Sequence, residues 1–178
     1  MKAPSAITPD YIRFVSELKK RIQSARTSAA RAVNRELVLL YWDTGRGLVE
    51  KQKQFGRGES VVEQLARDLQ SAFPRATGFS ASSLWRMRQL YAVYSSPEFL
   101  AQAVRELRPH KESSPQPEFL AQAVRELAVS IPWGHHIELL NKVRDEKERL
   151  YYLLATARFG WSRNVLLHQI KGGAYKRS

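Results

Sequence analysis

The sequence predicts an all-α fold. Apolar residues recur at three- and four-residue steps through almost the whole chain, and capping signals stand where those stretches begin. No clean alternating strand pattern occurs, although "LVLLYW" at 37–42 admits that reading.

The elements follow in order. Thr8 before Pro9 supplies a capping hydroxyl and then proline where no amide hydrogen is needed. Ile12, Val15, Leu18, Ile22 and Ala25 then form one apolar stripe, with Arg13, Lys19, Lys20 and Arg26 opposite. A second helix is expected over "ARAVNRELVLLYWDTGRGLVEKQKQF". Its apolar face would be Val33, Leu37, Leu40, Tyr41, Thr44 and Leu48, weakened at Gly45 and Gly47 and ended at Gly56 and Gly58. A third, "ESVVEQLARDLQSAF", is expected to bury Val62, Leu65, Leu69 and Phe73. "PRATGF" reads as a turn, and Ser80 caps a fourth helix, "ASSLWRMRQLYAVY". Later come the short "IPWGHHIELLNKV", then "DEKERLYYLLATARFG", whose acidic first turn suits the helix dipole. "SRNVLLHQI", closed by Gly172 and Gly173, is the last. The expectation is one domain over residues 1–178, of about seven helices, with the third and fourth forming a helix-turn-helix-like pair.

Composition bounds the function. The chain has no cysteine, which excludes disulfides, thiolate metal sites and cysteine nucleophiles. The start "MKAPSAITPDYIRF" has no apolar run of signal-peptide length and no stretch reads as a bilayer span, so a soluble cytoplasmic protein without a membrane partner is expected. Lys+Arg number 29 against 17 Asp+Glu, a formal charge of +12. That balance favours a polyanionic partner, DNA or another nucleic acid, because each neutralised phosphate releases counterion. The plainer alternative is a protein whose basic charge is incidental. Residues 101–150 balance at eight basic and eight acidic, whereas residues 151–178 carry five basic and none acidic.

The fourth helix is the most informative. At 100° per residue, Leu84, Met87, Leu90, Tyr91 and Tyr94 gather on one arc, expected to be core, and Ser82, Trp85, Arg86 and Gln89 gather opposite. Guanidinium, amide, hydroxyl and indole are the groups that grip nucleic acid. Alternatively, Trp85 packs under a neighbouring helix and Arg86 is solvated charge. Arg88, at the edge of the core arc, is expected to be a structural ion-pair partner. "Gly78-Phe79-Ser80" and "Gly160-Trp161-Ser162" open two helices alike, each leaving amide hydrogens able to hold a phosphate. Ser162, Arg163 and Asn164, with Arg75 in the earlier turn and Lys171 near the end, complete the candidate contacts. Both serines also serve simply as caps.

No active site is visible in the sequence. "GRG" at 56–58 is too short for a nucleotide loop, and the Glu17-Leu18-Lys19 triplet lies within a helix whose Leu18 is core. His135 and His136 point about 100° apart and do not converge on one ion, so one should pack and the other face solvent. No catalytic residue, metal or cofactor is expected.

Taken together, "RAVNRELVLLYWDTGRGLVEKQ", "GESVVEQLARDLQSAFP", "GFSASSLWRMRQLYAVYSSPEF", "PWGHHIELLNKV" and "GWSRNVLLHQI" resemble, in that order, the amino-terminal domain of the YhcG-like family. The resemblance covers roughly residues 11–173 apart from a duplicated piece. It implies a helical, DNA-associated targeting module that precedes a PD-(D/E)xK nuclease domain in bacterial proteins. That carboxy-terminal partner domain, with its catalytic carboxylates and lysine, is expected to lie outside this chain. One departure is that the family's "GFS" is followed by basic residues and an asparagine, where Ala81, Ser82 and Ser83 stand here. The rival reading is a protein-interaction or homodimerisation module built on the long helices.

"PEFLAQAVREL" occurs at 97–107 and again at 117–127. Each copy is a good amphipathic helix, and the polar spacer between them fits a tandem duplication. With room for one native copy, the expectation is that one fills the slot and the other lies outside it.

Overall fold

The computed structural model describes residues 8–55, 59–107 and 117–178, and all the regular structure among them is helical. In chain order the helices are α1 (Pro9–Phe55), α2 (Glu59–Ala72), α3 (Ala81–Tyr94), α4 (Pro97–Leu107), α5 (Pro117–Val129), α6 (Trp133–Lys142), α7 (Glu146–Phe159) and α8 (Arg163–Lys171), followed by a 3₁₀ turn at Ala174–Arg177. The expected count of about seven changes at two places. The two amino-terminal helices are one helix of 47 residues. Both copies of the repeat are helices as well. The first merger is intelligible, because "QSARTSAARA" contains neither proline nor glycine to stop a helix. The expected terminator at Gly56–Gly58 and the spacer at 108–116 lie outside the described residues. No described helix is long and apolar enough to cross a membrane.

The chain divides into two units, Met1–Val33 and Asn34–Ser178. The first is described from Thr8 and consists of the opening turns of α1. Thr8 caps it as expected, its Oγ1 accepting from the Tyr11 amide at 3.3 Å. The stripe expected to be core is not covered: Ile12, Leu18, Ile22 and Ala25 are exposed and Val15 is half-buried.

In the second unit the buried arc of α1 is also rotated from the expected one. Val38, Tyr41, Trp42 and Leu48 are buried, whereas Leu37 and Leu40 stay exposed. Both arcs have helical spacing, and packing selects the one carrying Trp42 and Gly45. A Cβ at Gly45 would meet the Met87 carbonyl, so this glycine is where α1 admits the backbone of α3.

Two apolar clusters fill the unit. Tyr41, Leu48, Val62, Ala66, Leu84 and Met87 join α1, α2 and α3. Phe73, expected in that core, is 55% exposed beyond the end of α2, its ring 6.4 Å from Phe79. The larger cluster contains Trp42, Leu90, Tyr94, Phe99, Val124, Leu139, Leu150 and Leu153 among others.

Both copies of the repeat enter this larger core, so the single-slot expectation does not hold. They enter by different faces. The first copy buries Phe99, Gln102 and Ala103; in the second, Phe119 is exposed and Val124 is buried, followed by Ala128 and Val129. The second copy also spends its charges on α1, with Arg125 3.2 Å from Asp43 and Arg35 2.7 Å from Glu126. In the first copy the equivalent Arg105 and Glu106 are exposed, and Gln102 bonds Glu106.

Candidate nucleic-acid interface

The turn before α3 fixes how that helix is presented. Gly78 adopts φ 99°, a left-handed conformation that L side chains rarely adopt, and a Cβ there would also meet the Tyr41 hydroxyl at 3.1 Å. Ser80 is then extended, and its Oγ accepts from the Ser83 amide at 3.2 Å. Four fully buried side chains, Leu84, Met87, Leu90 and Tyr94, anchor one arc of α3 as the periodicity predicts. Tyr91 is half-buried against the larger cluster.

Opposite that arc, Ser82, Arg86 and Gln89 are exposed together. Arg86 has no ion-pair partner among the described residues. Trp85 is half-buried and packs against the cluster formed by α1, α2 and α3. Arg88, expected from the sequence to be a structural ion-pair partner, has no carboxylate partner among the described residues. Its guanidinium lies 5.5 Å from the Trp85 ring centroid and its Nε donates to Gln52 Oε1 on α1. Among the described residues an amide and an aromatic face, and no carboxylate, stand where the side chain reaches. Arg75 is exposed in the connection between α2 and α3.

The second group begins at Gly160, φ 63°, which ends α7, and Ser162, whose Oγ accepts from the Val165 amide at 3.3 Å. The two Gly-aromatic-Ser stretches thus share the serine cap that their sequences suggested, and each glycine adopts a positive φ. Ser162, Arg163 and Asn164 are exposed at the start of α8. Arg163 is held by Glu138 of α6, Nε to Oε1 3.5 Å, so part of its charge is already matched. Lys171 is exposed at the other end of α8, about 12 Å along the helix axis by the rise per residue. It does not join the Ser162 group. α6 packs against both α3 and α8 and is the element between the two candidate groups.

The adjacent histidines of α6 are both buried, which corrects the expectation that one would face solvent. They diverge to separate partners. His135 Nε2 is 2.8 Å from the Trp161 carbonyl, which ties α6 to the turn before α8. His136 Nε2 is 2.9 Å from the Ala128 carbonyl, and its Nδ1 is 3.1 Å from the Tyr94 hydroxyl. With Nε2 donating to a carbonyl, Nδ1 is the acceptor of the Tyr94 hydrogen. Burial, reinforced by the neighbouring His135, pushes His136 down to about 4 against the Ala128 and Ile131 carbonyls that favour its charged form. The ring is therefore a neutral structural bridge near neutral pH. No group of three potential metal ligands occurs among the described residues.

Arg149 was missed by the sequence reasoning. It is buried and donates to the carbonyls of Val143 at 2.5 Å and Arg144 at 3.2 Å, satisfying the carboxy-terminal end of α6. The only signal was a basic residue next to Leu150 on the apolar side of "EKERLYYLL".

The DUF1016 N-terminal domain family matches residues 17–177 of this chain. A protein of Escherichia coli (strain K12) named "Putative nuclease YhcG" is 30% identical over 180 residues, covering 96% of this chain and 47% of that protein. The chain thus spans about half the length of the curated relative it matches. No solved structure matches it.

Proposed function

Because the chain belongs to the DUF1016 N-terminal domain family, we propose that it is a nucleic-acid-binding module, for DNA, that targets a YhcG-like nuclease and is itself non-catalytic. The observation that carries this reading is the exposed Ser82, Arg86 and Gln89 on a helix whose opposite arc is fully buried. A rigidly seated helix offering an exposed guanidinium, an amide and a hydroxyl is equipped for phosphate and base-edge contacts. The charge of +12 and the similarity to a protein named as a nuclease support it.

On this reading α2 and α3 act as a helix-turn-helix-like pair, with α3 the presenting helix. Trp85, with Arg88 over one face, stiffens α3 and holds that arc in place. Ser162, Arg163 and Asn164 give a second phosphate contact at a helix start. A PD-(D/E)xK domain elsewhere in a longer cytoplasmic protein would carry the cutting chemistry.

A gel-shift titration with duplex DNA tests the proposal. Binding should weaken steeply as salt rises, since released counterions drive it. Absence of measurable duplex affinity, or metal-dependent cleavage by these 178 residues alone, would overturn it.

A further inference from the structure

The opening turns of α1 carry an unused helix-pairing seam. Tyr11, Val15, Leu18, Ile22, Ala25 and Ala29 are spaced four, three, four, three and four residues apart, the a/d rhythm of a coiled coil. All are exposed except Val15, which is half-buried. Leu18 and Ile22 expose 41% and 49% of their surfaces, far more than a pairing seam leaves open once covered. Near the amino end Ile12 and Phe14, also exposed, widen the seam, and Tyr11, Ile12, Val15, Ser16 and Lys19 line a shallow concavity along it. Alanines at 25 and 29 leave room for bulky residues of a second helix.

The flanks say what that helix is. Lys19 and Arg26 border the seam on one side and Arg21 on the other, all exposed and without an ion-pair partner among the described residues. In a parallel pair of identical chains Arg21 would face Arg26 of the other copy. In an antiparallel pair basic flank would again face basic flank. Like charges at these positions oppose self-pairing, whereas carboxylates there satisfy all three cations.

We propose that residues 11–29 dock an amphipathic helix of another protein, about three heptads long, with bulky apolar seam residues and Asp or Glu at its flanking positions. The site uses residues of α1 other than the proposed nucleic-acid contacts and adds a protein partner to the proposed nucleic-acid function.

The test uses the full 178-residue chain and three synthetic peptides in physiological salt: a three-heptad helix with Leu and Ile at the seam and Glu at the flanks, its scrambled isomer, and a version with Lys at the flanks. The Glu-flanked helix should bind at least tenfold more tightly than either of the others by fluorescence anisotropy. Leu18→Ser with Ile22→Ser should weaken it at least tenfold, leaving the thermal midpoint and duplex DNA binding unchanged. Lys19→Glu, Arg21→Glu and Arg26→Glu together should transfer the preference to the Lys-flanked peptide. Equal binding of the Glu-flanked helix and its scrambled isomer would overturn the proposal, as would binding that survives the two serine substitutions. A homodimer that those substitutions dissolve, with no peptide bound, would assign the seam to a second copy instead.

Discussion

Gly45 of α1 lies against the backbone of Met87 in α3 so closely that a Cβ built at Gly45 falls 2.2 Å from the Met87 carbonyl oxygen. That oxygen belongs to a helix backbone and cannot swing aside as the end of a flexible side chain would. The helix carrying the candidate interface is therefore seated on a glycine forty-two positions earlier.

Gly45→Ala should lower stability although alanine favours helix by about 1 kcal/mol. Forcing α1 and α3 apart is expected to cost about 1–3 kcal/mol beyond that gain. Gly47, with nothing within 4 Å of its would-be Cβ, is the internal control. Gly47→Ala should be neutral or stabilising by up to about 1 kcal/mol. Urea unfolding of the two variants checks the contrast, and equal effects would refute the close-approach argument.

His136 makes stability fall in acid. Its folded value, about 4, lies below the ordinary 6.5, so the unfolded chain binds the extra proton first as pH drops. Its contribution is complete above pH 6.5 and is lost as pH falls from there toward 4, a loss on the order of 3 kcal/mol. Burial also raises Tyr94 well above the ordinary tyrosine range, so its hydroxyl keeps its proton throughout that window. His136→Gln should be less stable at pH 7 yet show a shallower decline between pH 6.5 and 4. An unchanged slope in denaturant titrations at pH 7, 5.5 and 4.5 would count against this assignment.

The duplicated peptide permits one substitution to be made in two environments. Phe99 is fully buried, against Tyr94 at 5.0 Å between ring centroids, and Phe119 is 56% exposed. Phe99→Ala should cost about 3–5 kcal/mol, the usual price of an emptied aromatic site. Phe119→Ala should cost no more than about 1 kcal/mol. Thermal unfolding of both variants decides it, and similar losses would refute the argument from their different exposure.

Arg86→Ala should weaken duplex binding several-fold and reduce the slope of log K against log salt by about one. Arg163→Ala should do less, because Glu138 already holds that guanidinium. If Arg86→Ala leaves both affinity and slope unchanged in a gel shift, the exposed arc of α3 is not the contact surface.

Local signals in the sequence are legible where they act over one turn. Thr8, Ser80 and Ser162 cap the helices they precede, and Gly172 closes α8. The core arc of α3 was equally legible, because Leu84, Met87, Leu90 and Tyr94 recur at three- and four-residue steps. Periodicity failed on α1, where two apolar stripes compete. Leu37 and Leu40 lost to Val38 and Trp42 for a tertiary reason, the approach of α3 at Gly45. Periodicity was blind, too, to the repeat: one eleven-residue helix has enough apolar surface to bury either of two faces. Of the candidate contacts, exposure of Ser82, Arg86 and Gln89 could be read from helix geometry. The Arg88–Gln52 hydrogen bond could not, since its partners are thirty-six residues apart.

The two identical helices also bear on the route by which the chain folds. During collapse each seat in the larger cluster meets two entrants of the same local propensity, told apart only by what precedes and follows them. A helix in the wrong seat presents the wrong face, and the chain must back out before the core closes. Refolding should therefore divide between a direct phase and a slower, error-correcting one. Phe119→Ser removes the second copy's claim to the aromatic seat, so it should enlarge the fast amplitude in stopped-flow traces. A single phase in both proteins would show that neighbouring sequence settles the contest before collapse.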